Sequence, residues 1–393
     1  MNKTRIMTIG EVCATISDTY RSPADEVTLI NTSDVLEGKV LNHERVPNKE
    51  LKGQFKKTFK KNDILYSEIR PQNKRFAFVD FDPVDYIAST KLMVLRADTS
   101  KVLPMYLYYH LKSAPVIAEL QMLAETRSGT FPQITFTELS NLTIPVPGIS
   151  EQEAIVATLK CIEDKIDCNT EINDNLQQQA YAYFLQLFIE NADPSWRVGT
   201  IADLGTVVGG GTPSKTKPEY YTDDGIAWIT PKDLSIDKSK FVAHGENDIS
   251  ELGYRNSSAT TMPAGTVLFS SRAPIGYLAI ASNEVTTNQG FKSVVPHPEI
   301  GTPFVYYFLI HNLPLIESKA SGSTFKEVSG SVMKSVEAVI PDGNTIAKFN
   351  DFCRPVFEMQ EKLEQENRKL AAMRDSLLPR LMSGEIDVAD IGI

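Results

Sequence analysis

The sequence predicts an α+β fold: two similar globular domains joined by two long antiparallel coiled-coil helices, with a pseudo-two-fold internal repeat. Two observations predict it. The chain reads as two related halves, and each half ends in a long apolar stripe at coiled-coil spacing. A length of 393 residues, with 42% hydrophobic and 23% charged, fits more than one well-packed domain.

The repeat shows as matches in a common order, at an offset of about 195 residues. Ile9-Gly10-Glu11-Val12 resembles Ile201-Ala202-Asp203-Leu204. Ile64-Leu65-Tyr66-Ser67 with Pro71 matches Val267-Leu268-Phe269-Ser270 with Pro274. Tyr106-Leu107-Tyr108-Tyr109 matches Phe304-Val305-Tyr306-Tyr307, and Thr130-Phe131 with Ile134 matches Thr324-Phe325 with Val328. Within each half, short strand-length apolar runs come first. A short helix with a proline in its first turn follows, then a Gly-containing loop and a last strand ending at Pro147 or Pro341.

Beyond each of those prolines a long helix is expected. Ser150 with Glu153 reads as a capping box for the first. Its stripe includes Leu159, Ile162, Ile166, Asn169, Asn173 and Leu176, and that of the second Val356, Met359, Leu363, Leu370, Met373 and Leu377. A helix this long cannot bury such a stripe against its own small domain, so it needs another helix. Pairing within the chain is the favoured reading, with an ordinary bundle core or a homodimeric coiled coil as alternatives. Asn169 and Asn173 on the stripe would fix its register at some cost in stability. The expected boundaries are 1–149 for the first domain, 150–190 for the first helix, 191–341 for the second domain and 342–393 for the second helix and tail. A helix of about 40 residues spans on the order of 60 Å, enough to hold two domains well apart.

Composition excludes several classes. Cys13, Cys161, Cys168 and Cys353 form no CxxC pair, and with five histidines a zinc site is not expected; the thiols read as reduced and in or near the core. No run has membrane-spanning length and the N-terminus lacks an apolar signal core, so a cytoplasmic protein is expected. Gly209 to Thr216 glances at a nucleotide-binding loop, but Ser214 stands where the second glycine is needed and Pro213 lacks an amide. No Pro-Pro dipeptide exists to form a methyltransferase's amine-orienting motif, and no hydrolytic constellation stands out. No catalytic residue and no cofactor of the chain's own are expected.

The second half carries Val208-Gly209-Gly210-Gly211-Thr212-Pro213-Ser214, Gly225-Ile226-Ala227-Trp228-Ile229-Thr230-Pro231-Lys232-Asp233-Leu234, Leu268-Phe269-Ser270-Ser271-Arg272-Ala273-Pro274 and Asn288-Gln289-Gly290-Phe291. The first half carries divergent versions around Asn31 to Gly38 and Tyr66 to Pro71, and the tail reads Leu377-Leu378-Pro379-Arg380-Leu381-Met382-Ser383-Gly384. In order and spacing these segments resemble the DNA-specificity subunits of type I restriction–modification systems over essentially the whole chain. The resemblance implies two target recognition domains, each reading one half of a bipartite site in double-stranded DNA, held apart by spacer helices. It further implies two methyltransferase subunits docked on the helices and two motor-nuclease (restriction) subunits joining them. S-adenosylmethionine and ATP belong to those partners. The alternative is a non-catalytic coiled-coil DNA-binding adaptor, or a specificity module of another modification assembly. The first half lacks the Gly-Gly-Thr-Pro-Ser segment, so its reading loops do not transfer from the second.

The net charge of −10 does not exclude DNA binding, because local charge decides. Lys56, Lys57, Lys60, Lys61, Arg70, Lys74 and Arg75 concentrate cations in the first domain and read as phosphate contacts, with a merely solvated loop as the alternative. In the second domain Thr212, Ser214, Lys215, Lys232, Ser270, Ser271 and Arg272 occupy Gly/Pro-punctuated loops suited to base readout. Arg272 is the sharpest candidate, since a guanidinium matches guanine; a salt bridge within the domain is its alternative. Arg127 and Thr130, and Ser323 and Thr324, sit in the loops before the last strands, as contacts or as turns. Trp228 reads as core.

Overall fold

The computed structural model describes residues 4–49, 53–127, 130–322, 326–388 and 391. The chain divides into two units, Met1–Ile166 with Lys369–Ile393, and Asp167–Arg368. Each contains one globular domain and a stretch of both long helices.

In the first unit, strand Arg5–Thr8 pairs antiparallel with Thr143–Val146, closing the two ends of the domain on each other. Thr8 and Glu11 then form a capping box on a one-turn helix, Ile9–Val12. An antiparallel sheet follows in the spatial order Cys13–Ile16, Leu92–Ala97, Ile64–Ser67, Phe76–Phe78. A second four-stranded sheet is built from Val46–Pro47, Glu26–Ile30, Tyr86–Ser89 and Phe55–Lys57.

The second unit repeats the frame. Arg197–Thr200 pairs with Glu337–Ile340, and Thr200 with Asp203 caps Ile201–Leu204. The sheet order Gly205–Gly209, Lys292–Pro296, Val267–Ser271, Ile275–Ala281 matches that of the first unit, with the short strand Phe241–Val242 added in parallel at its edge. Equivalent backbone bonds recur: Ile9 N donates to Leu142 O as Ile201 N does to Val336 O, both near 2.9 Å. The helices Pro104–Leu111 and Thr302–His311 take the same place in the chain, each with proline in its first turn. The internal repeat is therefore one of topology.

The long helices run Ile149–Leu185 and Gly343–Ser383. Gly148 O accepts from Glu151 N and Gln152 N, so Ser150 lies inside the first turn and does not cap it. In the first unit Ile155 and Leu159 share a core with Leu378, Leu381 and Met382, and Glu163 meets Arg374 at 3.9 Å. In the second, Asn169 Nδ2 donates to Glu366 Oε2 and Asn367 Oδ1 at 2.9 Å, and Phe184 packs on Phe349. In each unit rising numbers on one helix meet falling numbers on the other: the pairing is antiparallel. Among the described residues no helix is long and apolar enough to cross a membrane.

Of the stripe residues read from sequence, Leu159, Ile162 and Leu363 are buried, and Ile166, Leu176, Val356, Leu370 and Leu377 half-buried. Met359 and Met373 are each 49% exposed, which corrects their placement; Gln360 is buried beside the first. The buried positions from Ile346 to Glu364 are Ile346, Phe349, Cys353, Phe357, Gln360, Leu363 and Glu364. Two successive steps of four reflect the drift of a 3.6-residue helix against a strict heptad. Cys13 and Cys353 are buried, their thiols pushed up to about 12 by desolvation, whereas Cys161 and Cys168 lie exposed.

His110 is buried on the first domain's helix, and burial holds its pKa down at about 4 although Nε2 faces Thr143 O. The unfolded chain takes up this proton near pH 6.5 and the folded one only near 4. Stability is thus expected to fall as pH drops through that window. His110→Phe, which installs the residue found at the matching Phe308, should flatten this part of a urea-denaturation pH profile.

Candidate nucleic-acid interface

Two backbone features shape the candidate surface of the second domain. The glycine run lies tight against neighbouring backbone: a Cβ at Gly210 would come within 2.0 Å of Asn288 O, and one at Gly211 within 2.3 Å of Ala259 N. Gly211 N donates to Thr287 O, and its carbonyl accepts from the buried Trp228 Nε1 at 2.9 Å. These glycines serve close packing, and the amide of Gly211 is committed to the protein. The second feature is the turn after Val267–Ser271, where Ala273 adopts φ +52°, a costly conformation for a residue with a side chain.

Between them lies a cleft of about 560 Å³, lined by Thr212, Lys215, Tyr221, Trp228, Thr230, Lys232, Arg272, Asn288 and Gln289 among others. Thr212, Lys215, Lys232 and Arg272 are thus brought together. Lys232 pairs with Glu246 at 2.6 Å, which raises its pKa. Arg272 is loosely paired with Glu327 at 3.4 Å, and Glu327 also meets Lys292 at 3.5 Å. Among the described residues the Lys215 side chain has no hydrogen-bond or ion-pair partner. Ser214 is exposed and bonds Thr216, outside the cleft lining.

Ser270 and Ser271 require correction, since both are fully buried. Ser270 Oγ donates to Pro274 O and accepts from Tyr277 N, and Ser271 Oγ donates to Gly290 O. They fold the turn that presents Arg272 and have no surface to offer DNA. Asn288, Gln289 and Tyr221 also line the cleft; they come from segments far apart in sequence, and only the fold gathers them.

In the first domain the basic segment does not form one patch. Lys60 and Lys61 precede strand Ile64–Ser67 and Arg70 follows it, so about 13 Å of strand separates them. Lys57 Nζ donates to Thr90 O and Leu92 O at 3.0 and 2.8 Å, and its burial lowers its pKa. Arg75 donates to Ser33 O and Val35 O. These bonds correct the reading of both as free cations: each side chain ties segments of its own domain together. Lys74 pairs with Glu37, and Arg127 with Glu138. The exposed side chains of Lys56, Lys60, Lys61 and Arg70 have no such partner among the described residues.

Arg70 occupies a turn equivalent to that of Arg272. Arg70 has positive φ, +44°, directly before Pro71, as Ala273, the residue after Arg272, has before Pro274. Ile134 N bonds Glu68 O as Val328 N bonds Ser271 O, so each turn is tied to the loop before the last strand. Arg70 N bonds Pro132 O in the loop that carries the exposed Thr130. Ser323 and Thr324, in the second loop, lie outside the described residues. Among the described residues no three His, Cys, Asp or Glu gather as a metal site.

The family model for the type I restriction modification DNA specificity domain matches twice, at residues 1–178 and 194–366. The chain belongs to this family. It is 31% identical to the type I restriction enzyme HindI specificity subunit of Haemophilus influenzae, covering 96% of this chain and 98% of that one. Over 193 residues, 48% of this chain and 44% of the relative, it is 36% identical to the MjaIX specificity subunit of Methanocaldococcus jannaschii. The crystal structure of a type I restriction–modification S subunit from M. genitalium shares the fold, with a TM-score of 0.60 at 17% identity over 97% of this chain and 96% of that one.

For a specificity-domain protein, the carbonyl bonds of Lys57 carry a plain consequence. Lys57→Ala is expected to cost about 1–3 kcal/mol of stability, read by denaturant titration. The salt dependence of DNA binding should stay unchanged, whereas loss of a phosphate contact would lower its slope by about one.

Proposed function

We propose that this chain reads a bipartite DNA sequence, one half-site for each domain, and docks the modification subunits of a type I restriction–modification complex. The repeated frame supports this reading above all else: each copy presents an arginine on or beside a strained, outward turn braced at the same place, Arg70 in one and Arg272 in the other. Arg272 lines a cleft whose amides and hydroxyls suit base edges, since Asn and Gln match adenine and Arg matches guanine. Lys215 adds charge that attracts phosphate without reading sequence. Two tethered readers gain affinity together only when their separation matches the DNA.

On this reading the chain is non-catalytic. Two methyltransferase subunits, and two motor-nuclease subunits where restriction occurs, supply the chemistry that uses S-adenosylmethionine and ATP. A cytoplasmic location follows from its DNA target.

Methylation mapping of the host with and without this chain defines the target. Replacing residues 191–341 by the matching domain of another specificity subunit is then expected to change one half-site and leave the other intact. Movement of both half-sites, or of neither, refutes independent reading. Arg272→Ala should relax one base pair at a cost of about 1–3 kcal/mol for that pair. Competition binding against singly substituted duplexes measures this, and equal loss on every sequence would assign Arg272 to a phosphate or to the fold.

A further inference from the structure

Several polar residues that interrupt the stripe in the second unit meet one short segment of the second domain. Lys240, buried at the start of edge strand Phe241–Val242, donates its backbone amide to Glu364 Oε1 at 2.8 Å, and Phe241 N donates to Glu364 Oε2 at 3.0 Å. One carboxylate thus holds two successive amides. The Lys240 amino group donates to Gln177 Oε1 at 3.0 Å on the first long helix and to Gln360 Oε1 at 2.8 Å on the second. It also lies 3.5 Å from the centre of the Phe357 ring and 4.5 Å from that of Tyr306. Arg368 reaches Asp237 at 3.7 Å just upstream.

Desolvation here is severe. Burial pushes the Lys240 amine down to about 6, opposed by the nearby Cys353 and Glu364, and raises the Glu364 pKa. An apolar side chain of the same length would fill this space without that cost. An apolar contact also tolerates sliding, whereas paired amides on a carboxylate admit one register; directional groups in an apolar seam specify geometry.

The first unit reaches the same arrangement from different residues. Lys112 places its Nζ 4.8 and 4.5 Å from the ring centres of Tyr108 and Tyr109, which match Tyr306 and Tyr307 in the repeat. It pairs with Glu163 of the first long helix, which also accepts from Tyr109 Oη at 2.9 Å. The position matching Lys112 is Ile310, so the second copy supplies its amino group from the edge strand instead.

We infer that Lys240 and Glu364 are positioning residues for DNA recognition: they fix the second domain at one angle on the long helices and thereby narrow the half-site spacing the protein accepts. This rests on the reading of the chain as a two-domain DNA reader. The test uses the full chain with its partner subunits, isolated from the host through a tag, and duplexes carrying the mapped target with the spacer unchanged or altered by one base pair. The wild type is expected to lose at least about tenfold in affinity on the altered spacers. In Lys240→Met and Glu364→Gln that ratio should shrink to about threefold, with cognate binding weakened less than about fivefold. Glu364→Gln carries the test independently of how well Lys240→Met folds, and hydrogen exchange at the Lys240 and Phe241 amides should speed up about tenfold in it. A wild type without spacer preference overturns the functional reading and this inference with it. A wild type that discriminates, beside variants that discriminate equally despite faster exchange, overturns the inference alone.

Discussion

An apolar stripe along a helix of some forty residues must be covered along its whole length, and each long helix here meets that demand twice, in company with the other. In the first unit Ile155 and Leu159 join Leu378 and Leu381 beneath Tyr106 and Leu107. In the second, Phe184 and Phe188 join Phe349 and Phe357 beneath Phe304 and Tyr307. The globular domains therefore do not own complete cores. Each finishes its core with segments of two helices, and that shared burial ties domain to helix more firmly than any surface ion pair. The paired terminal strands, Arg5–Thr8 with Thr143–Val146 and Arg197–Thr200 with Glu337–Ile340, bring the ends of each domain together so that the helix can depart from one place.

The parts of this arrangement legible in the sequence are those governed by local period. The repeat, the α+β order and the two helices follow from spacing alone, and Leu159, Ile162 and Leu363 were readable as inward residues. Met359 and Met373 were not, because extrapolating a heptad accumulates about 20° per seven residues in a straight helix. Pro355 and Pro379 also sit inside the second helix, which continues through them while Phe357 and Leu378 remain buried on its inner face. Tertiary burial there outweighs a local breaker.

Site residues were less legible, for a different reason. A serine in a loop punctuated by glycine and proline reads as exposed, yet Ser270 and Ser271 turn inward because the backbone around them bends and its carbonyls and amides need partners. Lys57 and Arg75 read as phosphate-seeking charge, yet each is claimed by two carbonyls of its own domain. Gln177, Gln360 and Glu364 fall off the stripe that the heptad spacing picks out. Their partner, Lys240, lies more than sixty residues from the nearest of them, beyond any pattern a window of sequence can hold.

The charges that remain outward bear on how an acidic protein can select DNA. Lys232, Arg272, Lys74 and Arg127 each face a carboxylate of their own domain. On the proposed reading, any duplex that recruits these cations must first displace Glu246, Glu327, Glu37 or Glu138. A half-exposed pair such as Arg272–Glu327 holds with about 0–1 kcal/mol, and a bidentate contact to the correct base gains about 1–3 kcal/mol. The correct base therefore outcompetes the carboxylate, while a lone phosphate in salt barely does. Carboxylates beside the reading loops thus weaken sequence-independent binding more than specific binding, which raises the ratio on which selection of a target in a genome depends.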